Sequence, residues 1–117
     1  MDRILSIEQL CAGKCVPMKN RLPMKDAHIE EQIQVLHKWV YNAPAGALVC
    51  TFDFPDYAKT IDFVNKIAAV AEAQNHHPDL RVSYGKVQVV YSTHSIGGVS
   101  MNDFICAAQI DVQYPKA

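Results

Sequence analysis

Three of the five histidines in this sequence, His76, His77 and His94, fall within one stretch that runs from residue 72 to residue 103. Pro78 follows the adjacent pair and disfavours helical backbone at the residue before it. The pattern therefore predicts that His76 ends a helix while His77 is extended. The two neighbouring imidazoles should be turned in different directions.

A predicted β-hairpin brings the third histidine toward the first two. The runs on either side of Gly85-Lys86 are rich in β-branched and aromatic side chains, and this dipeptide suits a two-residue type II′ turn. Pairing the strands outward from that turn places His77 opposite His94, within cross-strand reach. We therefore expect His76, His77 and His94 to converge at the open end of one hairpin.

Three kinds of site are compatible with this cluster. A metal site would require adjacent histidines to share one ion, and neither an H-x3-H pair nor a well-placed carboxylate accompanies them. In a structural role, the imidazoles would be satisfied polar groups at the end of a sheet. In acid–base chemistry on a neutral substrate, one ring would donate a proton while another accepts one, because imidazole titrates at about pH 6.5.

The surrounding residues favour proton transfer without a covalent intermediate. No Ser or Cys nucleophile is clearly paired with the histidines, which favours elimination or isomerisation over acyl or phosphoryl transfer. There is no Gly-rich phosphate loop or dinucleotide fingerprint, so no bound redox cofactor is expected, and the missing ligand spacing argues against a metal. Glu72 lies one helical turn before His76 and could orient it, with an exposed helical glutamate as the alternative. Asp103 is interpreted first as a helix cap and second as a site residue.

Composition limits the class of protein. The 117 residues suffice for one domain with a single core, and half of them are hydrophobic. A formal net charge of −1 provides no electrostatic footprint for nucleic acid or an anionic membrane, and no apolar run approaches the ~20 residues of a membrane span. The first residues lack the apolar segment of a secretory signal, so the four cysteines are interpreted as reduced thiols of a cytoplasmic protein.

The remaining patterns predict the elements that position the histidines. An irregular arm is expected over residues 1–22, where Cys11 and Cys15 are either two unpaired thiols or half of a zinc site. One domain is expected over residues 23–113. Its predicted elements are a helix over 24–38, strands over 39–42 and 47–52, a long helix over 54–74, the hairpin, and a helix over 101–111. This order predicts an α+β fold, a four-stranded antiparallel sheet with helices packed on one face.

Local signals mark the helix starts and one assembly surface. Asp53 is a candidate N-cap of the long helix with Pro55 in its first turn, and Ser100-x-x-Asp103 has the form of a capping box. The apolar stripe of the long helix is wide enough to predict burial on two sides, and hence a homo-oligomer. Trp39 is interpreted as a core anchor, with stacking on a flat heterocycle as the alternative.

The histidine stretch also resembles a family signature. It is similar at each position to the signature of the pterin-4a-carbinolamine dehydratase family, which here reads Glu72-x3-His76-His77-Pro78-x5-Tyr84-x9-His94-x8-Asp103. The resemblance covers residues 24–112. More loosely, the cysteine-bearing first 20 or so residues resemble the N-terminal arm of bacterial members that accompany phenylalanine hydroxylase.

The resemblance implies a dehydratase that acts on 4a-hydroxytetrahydrobiopterin, the hemiaminal left when an aromatic amino acid hydroxylase has used its pterin. The product would be quinonoid dihydropterin, which a reductase returns to the tetrahydro form. Loss of water across C4a–N5 needs one proton delivered to the hydroxyl and one removed from N5, and needs no metal. Dimers or tetramers are the family's assemblies. Members in animals also act as dimerisation cofactors for a transcription factor, so a non-catalytic pterin-binding or regulatory partner is the alternative.

By position, the resemblance assigns the catalytic roles to His76, His77 and His94. The first and third are linked to acid–base work and the second chiefly to holding the substrate. Glu72 and Asp103 would support them. The implied substrate-binding residues are Asn75, His76, His77, Pro78, Ser92, Thr93, His94 and Ser95.

Overall fold

A computed structural model describes residues 3–115, which form four α-helices and one four-stranded antiparallel sheet. The helices are α1 (Ile7–Cys11), α2 (Asp26–Gln32), α3 (Tyr57–Gln74) and α4 (Met101–Gln113). The strands are β1 (Val40–Asn42), β2 (Ala47–Asp53), β3 (Asp79–Ser83) and β4 (Lys86–Tyr91). None of the helices within residues 3–115 has the length and apolar character needed to cross a membrane.

Two hairpins joined by α3 build the sheet in the order β1-β2-β4-β3. The central strands β2 and β4 are antiparallel, with Cys50 opposite Val89. Alternate residues of these strands are buried under the helices, namely Leu48, Cys50, Phe52, Val87, Val89 and Tyr91. One face of the sheet is therefore covered by helices, which confirms the predicted α+β arrangement.

The core lies between this face of the sheet and the two long helices. Residues 102–108 of α4 are all buried. In contrast, α3 buries a single stripe at helical spacing, which consists of Thr60, Phe63, Ile67 and Ala71. Tyr57 of α3 is 51% exposed. Burial of α3 on two sides is therefore not achieved within one chain.

An arm before α2 crosses the ends of α3 and α4, where three amide side chains hold its backbone. Gln74 Oε1 accepts a hydrogen bond from the Cys15 N–H at 2.8 Å. Asn102 accepts from the Val16 N–H at 3.1 Å and donates to the Val16 carbonyl at 2.7 Å. Gln109 donates to two further carbonyl groups of the arm, each at 3.1 Å. Beyond α1, residues 12–22 have no regular secondary structure, yet these hydrogen bonds set their position on the domain.

The start of α3 differs from the prediction. Strand β2 continues through Asp53, which pairs with Lys86 and so cannot cap a helix. The N-cap is Asp56, whose Oδ1 accepts a hydrogen bond from the Lys59 N–H at 2.8 Å. Pro55 consequently precedes the cap and does not lie in the first turn.

Helix α2 is shorter than predicted. It ends at Gln32 and is followed by a single 3-10 turn over Ile33–Val35. Leu36 is then extended, with φ −105° and ψ 139°. Bends over residues 36–38 then lead to β1, so the helix does not reach residue 38.

The register of the second hairpin is two residues away from the predicted one. Val82 pairs with Val87, so Tyr84 and Gly85 form the turn in place of Gly85 and Lys86. Gly85 does not have the positive φ that a type II′ turn requires at its first central residue. Glycine is needed at position 85 for a different reason, because the backbone there lies close to the backbone of Phe54.

Substitution of Gly85 by alanine is expected to lower the free energy of unfolding by about 1–3 kcal/mol. The Phe54 N–H donates to the Gly85 carbonyl at 2.8 Å, and a Cβ on Gly85 would lie 2.8 Å from the Phe54 oxygen. The two segments cannot move apart without weakening that hydrogen bond. Urea unfolding of Gly85→Ala measures the loss, with the exposed neighbour Tyr84→Ala as a control expected within about 0.5 kcal/mol of wild type. Equal stability of Gly85→Ala and wild type would contradict this account.

Candidate active site

The end of α3 places His76 as predicted. Asn75 caps the helix in the left-handed conformation, with φ 50° and ψ 43°, which asparagine tolerates better than most residues. The His76 N–H still donates to the Ala71 carbonyl at 3.1 Å. Pro78 then prevents any return to helix. His76 therefore follows the last helical turn directly and faces the start of α4.

A buried carboxylate holds the His76 imidazole. Its Nε2–H donates to Asp103 Oδ1 at 2.6 Å, and the two side chains are 14% and 0% exposed. The ring also stacks on Tyr91, with 5.2 Å between centroids, and the Tyr91 hydroxyl donates to the His76 carbonyl at 3.0 Å. Because a carboxylate only accepts, the neutral ring carries its proton on Nε2. Nδ1 has no hydrogen-bonding partner within residues 3–115 and is the nitrogen left for chemistry.

The same carboxylate fixes the start of α4. Asp103 Oδ2 accepts hydrogen bonds from the Ser100 N–H and the Thr93 hydroxyl, both at 2.9 Å. The Ser100 side chain completes the predicted capping box, which is confirmed. Three donors thus surround a fully buried acidic group, and this pairing offsets the cost of burying it. Asp103 links the fold of α4 to the position of His76.

His77 and Glu72 form a separate, exposed pair. The His77 Nε2–H donates to Glu72 Oε2 at 2.8 Å, and the side chains are 56% and 76% exposed. The prediction that Glu72 orients His76 is therefore wrong, because the turn at Asn75 directs His76 inward and His77 back over α3. The two imidazoles do point in different directions. An exposed pair of this kind contributes about 0–1 kcal/mol to stability.

His94 lies outside the sheet and is exposed. Strand β3 begins only at Asp79 and β4 ends at Tyr91, so His77 and His94 are not the predicted cross-strand partners. His94 instead begins a 3-10 turn over His94–Ile96. Within residues 3–115, His76 is the one member of the histidine cluster whose side chain is largely shielded from solvent and paired with a buried carboxylate.

A cleft of about 240 Å³ opens beside His76. Four predicted site residues line it, namely Asn75, His76, Thr93 and Ser95. The predicted residues His77, Pro78, Ser92 and His94 are not part of its lining. The remaining wall consists of Gln74 and Asn102 with arm residues 15–18, none of which the sequence analysis placed near the histidines. The arm contributes an apolar side, Val16, Pro17 and Met18, opposite a polar one.

A larger hollow of about 800 Å³ lies toward the other end of α4, away from the histidine cluster. Its lining includes the aromatic side chains of Phe52, Phe54 and Tyr114 together with charged residues and prolines. Near it, the Trp39 indole N–H donates to Asp111 at 2.8 Å, and Trp39 is only 5% exposed. The interpretation of Trp39 as a core anchor is confirmed. Among residues 3–115, no group of three or more His, Cys, Asp or Glu side chains is arranged to hold a metal ion.

The pKa of His76 is expected to lie above its ordinary value of 6.5. Burial lowers this pKa, but the hydrogen bond to Asp103 and the negative charge of Asp103 together outweigh burial. The pairing therefore stabilises the fold fully below the unfolded-state pKa, and this contribution is lost as the pH rises through the higher folded-state pKa.

NMR titration of the imidazole signals measures this shift directly. We expect His76 to titrate at a higher pH in the folded protein than in the denatured chain. In Asp103→Asn the pKa should fall, because burial remains while the carboxylate is lost. A folded-state pKa of His76 below that of the denatured chain would show that burial dominates the pairing.

Comparison with known proteins identifies relatives along most of the chain. A family model described as Pterin 4 alpha carbinolamine dehydratase matches residues 22–113. A relative from Xanthomonas oryzae pv. oryzae is 42% identical over 110 residues, covering 93% of this chain and 91% of the relative. One from Nitrosospira multiformis is 38% identical over 110 residues, covering 93% and 96%. Both carry provisional names as pterin-4-alpha-carbinolamine dehydratases.

Two solved structures are also similar. The crystal structure of a transcriptional coactivator/pterin dehydratase from Brucella melitensis has a TM-score of 0.76 and 26% identity, covering 80% of this chain and 99% of that one. A pterin dehydratase-like protein, identified as a RuBisCO assembly factor in the α-carboxysome, has a TM-score of 0.59 and 22% identity, covering 70% and 95%. The second likeness concerns the fold alone.

Proposed function

Because the chain belongs to the pterin-4α-carbinolamine dehydratase family, we propose that it eliminates water from 4a-hydroxytetrahydrobiopterin to give quinonoid dihydropterin. The observation that carries the proposal is the His76–Asp103 pair beside the cleft, with Nδ1 of His76 free of hydrogen bonds to the part of the chain that the structure describes. A histidine held through Nε2 by a buried carboxylate has a defined tautomer and can use its other nitrogen for proton transfer.

The elimination moves two protons. The C4a hydroxyl must be protonated to leave as water, and N5 must lose its proton as the new double bond forms. The raised pKa of His76 favours the imidazolium form, so we assign proton delivery to the hydroxyl to His76. His94, in the turn next to the cleft residues Thr93 and Ser95, is assigned removal of the N5 proton. His77 with Glu72 is assigned a role in holding the substrate.

The two sides of the cleft support a flat, polar-edged substrate. Asn75 and Ser95 are exposed polar side chains on one side, suited to the amide and amine edge of a pterin ring. Val16, Pro17 and Met18 form an apolar side against which a ring face can pack. A pterin presents both kinds of surface.

The direct test follows the absorbance decay of freshly generated 4a-hydroxytetrahydropterin with and without the protein. Accelerated decay that is lost in a His76 variant would support both the activity and its site. Decay at the uncatalysed rate in the presence of folded protein would overturn the proposal.

Substitutions of His94 and His77 should have different effects on the steady-state constants. His94→Ala is expected to lower kcat by about 10²-fold or more, because it removes a proton-transfer group. His77→Ala is expected mainly to raise KM, because it removes a group that only binds. Measuring kcat and KM for both variants checks the assignment. The reverse pattern would exchange the two roles.

The wider setting follows from the proposed substrate. The carbinolamine arises when an aromatic amino acid hydroxylase uses tetrahydrobiopterin, so this chain would act in recycling that cofactor in the cytoplasm, with a phenylalanine hydroxylase as its supplier.

We propose a homo-oligomer, dimer or tetramer, that covers the apolar surface of α3 left open in one chain, including Tyr57. Light scattering that reports a monomer at micromolar concentration would contradict the oligomer.

A second candidate function is a regulatory or assembly partner that keeps the pterin fold. The name of the similar Brucella melitensis structure favours it, since that protein is described as a transcriptional coactivator as well as a pterin dehydratase. The two functions separate in cells: if His76→Ala and His94→Ala supported every cellular role normally, the partner function would be the better account.

A further inference from the structure

Two cysteines that the proposed chemistry does not use lie in contact. Cys15 of the arm and Cys106 of α4 are 91 residues apart in sequence, yet their sulfur atoms are 3.6 Å apart. Cys106 is fully buried, whereas Cys15 is half-buried and lines the cleft beside His76. A disulfide needs a sulfur–sulfur distance of about 2.05 Å, so closure requires a movement of only about 1.5 Å.

The arm can supply that movement. Its backbone near Cys15 is held by hydrogen bonds to Gln74 and Asn102, not by regular secondary structure. The other two cysteines are placed differently. The Cys11 thiol contacts the Ala108 carbonyl at 3.8 Å, Cys50 is buried in the sheet, and neither has a sulfur partner within residues 3–115. The close pair is therefore specific to Cys15 and Cys106.

We propose that Cys15 and Cys106 form a reversible disulfide that ties the arm to α4 and so fixes the arm side of the cleft. The oxidant is a small-molecule disulfide such as glutathione disulfide. The Cys15 thiolate, reached through the cleft, attacks it to give a mixed disulfide and one glutathione thiolate. The Cys106 thiolate then attacks the Cys15 sulfur and releases the second glutathione. The two protein thiols together lose two protons and two electrons, which the oxidant takes up.

The surroundings of Cys106 suit the second step. Its pKa is lowered, first by the hydrogen bond from the Cys15 thiol and then by Tyr91 and the charge of His76, against burial and the charge of Asp103, which raise it. The same hydrogen bond and burial raise the pKa of Cys15, so the first attack is the less favoured of the two steps. A buried thiol of this kind is protected from bulky oxidants but remains in contact with the one sulfur that it must attack.

Peptide mapping after equilibration in glutathione redox buffers tests the pairing. Trypsin cleavage after lysine and arginine places each of the four cysteines in a different peptide. We expect residues 15–19 to be linked to residues 87–116, with the loss of two hydrogen atoms and reversal by dithiothreitol. Cys15→Ser should abolish the link, and the matched control Cys11→Ser should retain it. Because Cys15 lies on the arm, its variant tests the proposal even if a Cys106 variant does not fold.

A second measurement tests the structural effect of the bridge. Lys14 and Lys19 are exposed on the arm, so native-state trypsin cleavage after them reports how firmly the arm is held. We expect cleavage to be at least several-fold slower in the oxidised protein than in the reduced one, and unchanged by oxidant in Cys15→Ser. Mixed glutathione adducts without the Cys15–Cys106 link, or a link that leaves the cleavage rate unchanged, would overturn the proposal. Neither readout depends on dehydratase activity, so the two proposals can fail separately.

Discussion

His76→Ala is expected to lower kcat for carbinolamine dehydration by about 10²- to 10⁴-fold, the range typical for loss of a general acid or base. The expectation follows from the position of His76, because within residues 3–115 it is the histidine that both borders the cleft and is held by a buried carboxylate. Stopped-flow absorbance of the carbinolamine measures the rate. Since the group acts in the transition state, kcat should fall more than KM changes.

Two controls keep this result interpretable. His37→Ala removes an exposed histidine distant from the cleft and should leave the rate unchanged. His76→Gln retains an amide that can donate to Asp103, so it should be more stable than His76→Ala while remaining inactive. A folded His76→Gln protein with wild-type kcat would show that the proton comes from another group.

Asp103→Ala is expected to be among the most destabilising single substitutions in the chain, costing about 3–5 kcal/mol of unfolding free energy. It removes the acceptor for His76, for the Ser100 N–H and for the Thr93 hydroxyl, all in a buried setting. Each unsatisfied buried donor costs about 1–3 kcal/mol, and the lost helix cap about 1 kcal/mol. Urea unfolding at neutral pH measures the sum.

Two other acidic residues provide matched controls for Asp103. Asp56→Ala removes a partly exposed N-cap from α3 and should cost only about 1 kcal/mol. Glu72→Ala breaks the exposed pair with His77 and should cost about 0–1 kcal/mol. If all three substitutions had similar costs, the buried network around Asp103 would have no special part in the stability of the fold.

The features that could be predicted from sequence are those set by local chemistry. The capping box at Ser100 and Asp103 depends on residues three apart, and the alternation of buried positions in β2 and β4 depends on a period of two. The end of α3 before His76 follows from Pro78 and the cap at Asn75. These signals were sufficient for the fold class and for the different directions of the two adjacent histidines.

The features that were mispredicted or missed depend on distant contacts. The hairpin register depends on the approach of Gly85 to Phe54, more than 30 residues earlier, so the glycine was assigned to the wrong turn position. Helical spacing suggested Glu72 as a partner of His76, with an exposed glutamate as the alternative, because it does not show the left-handed backbone at Asn75 that turns His77 toward Glu72 instead. The arm side of the cleft depends on amide side chains 59 to 98 residues away in the chain.

The attachment of the arm has a consequence for how the protein responds to heat. Residues 12–22 are held by hydrogen bonds to amide side chains of α3 and α4 and bury little apolar area, whereas residues 102–108 of α4 belong to the core. Segments of the first kind open with a small free energy, and their backbone amides exchange with solvent long before those of the core. The two sides of the cleft therefore differ in thermal stability. The histidine side unfolds with the whole domain, whereas the arm side opens at temperatures where the domain is still folded.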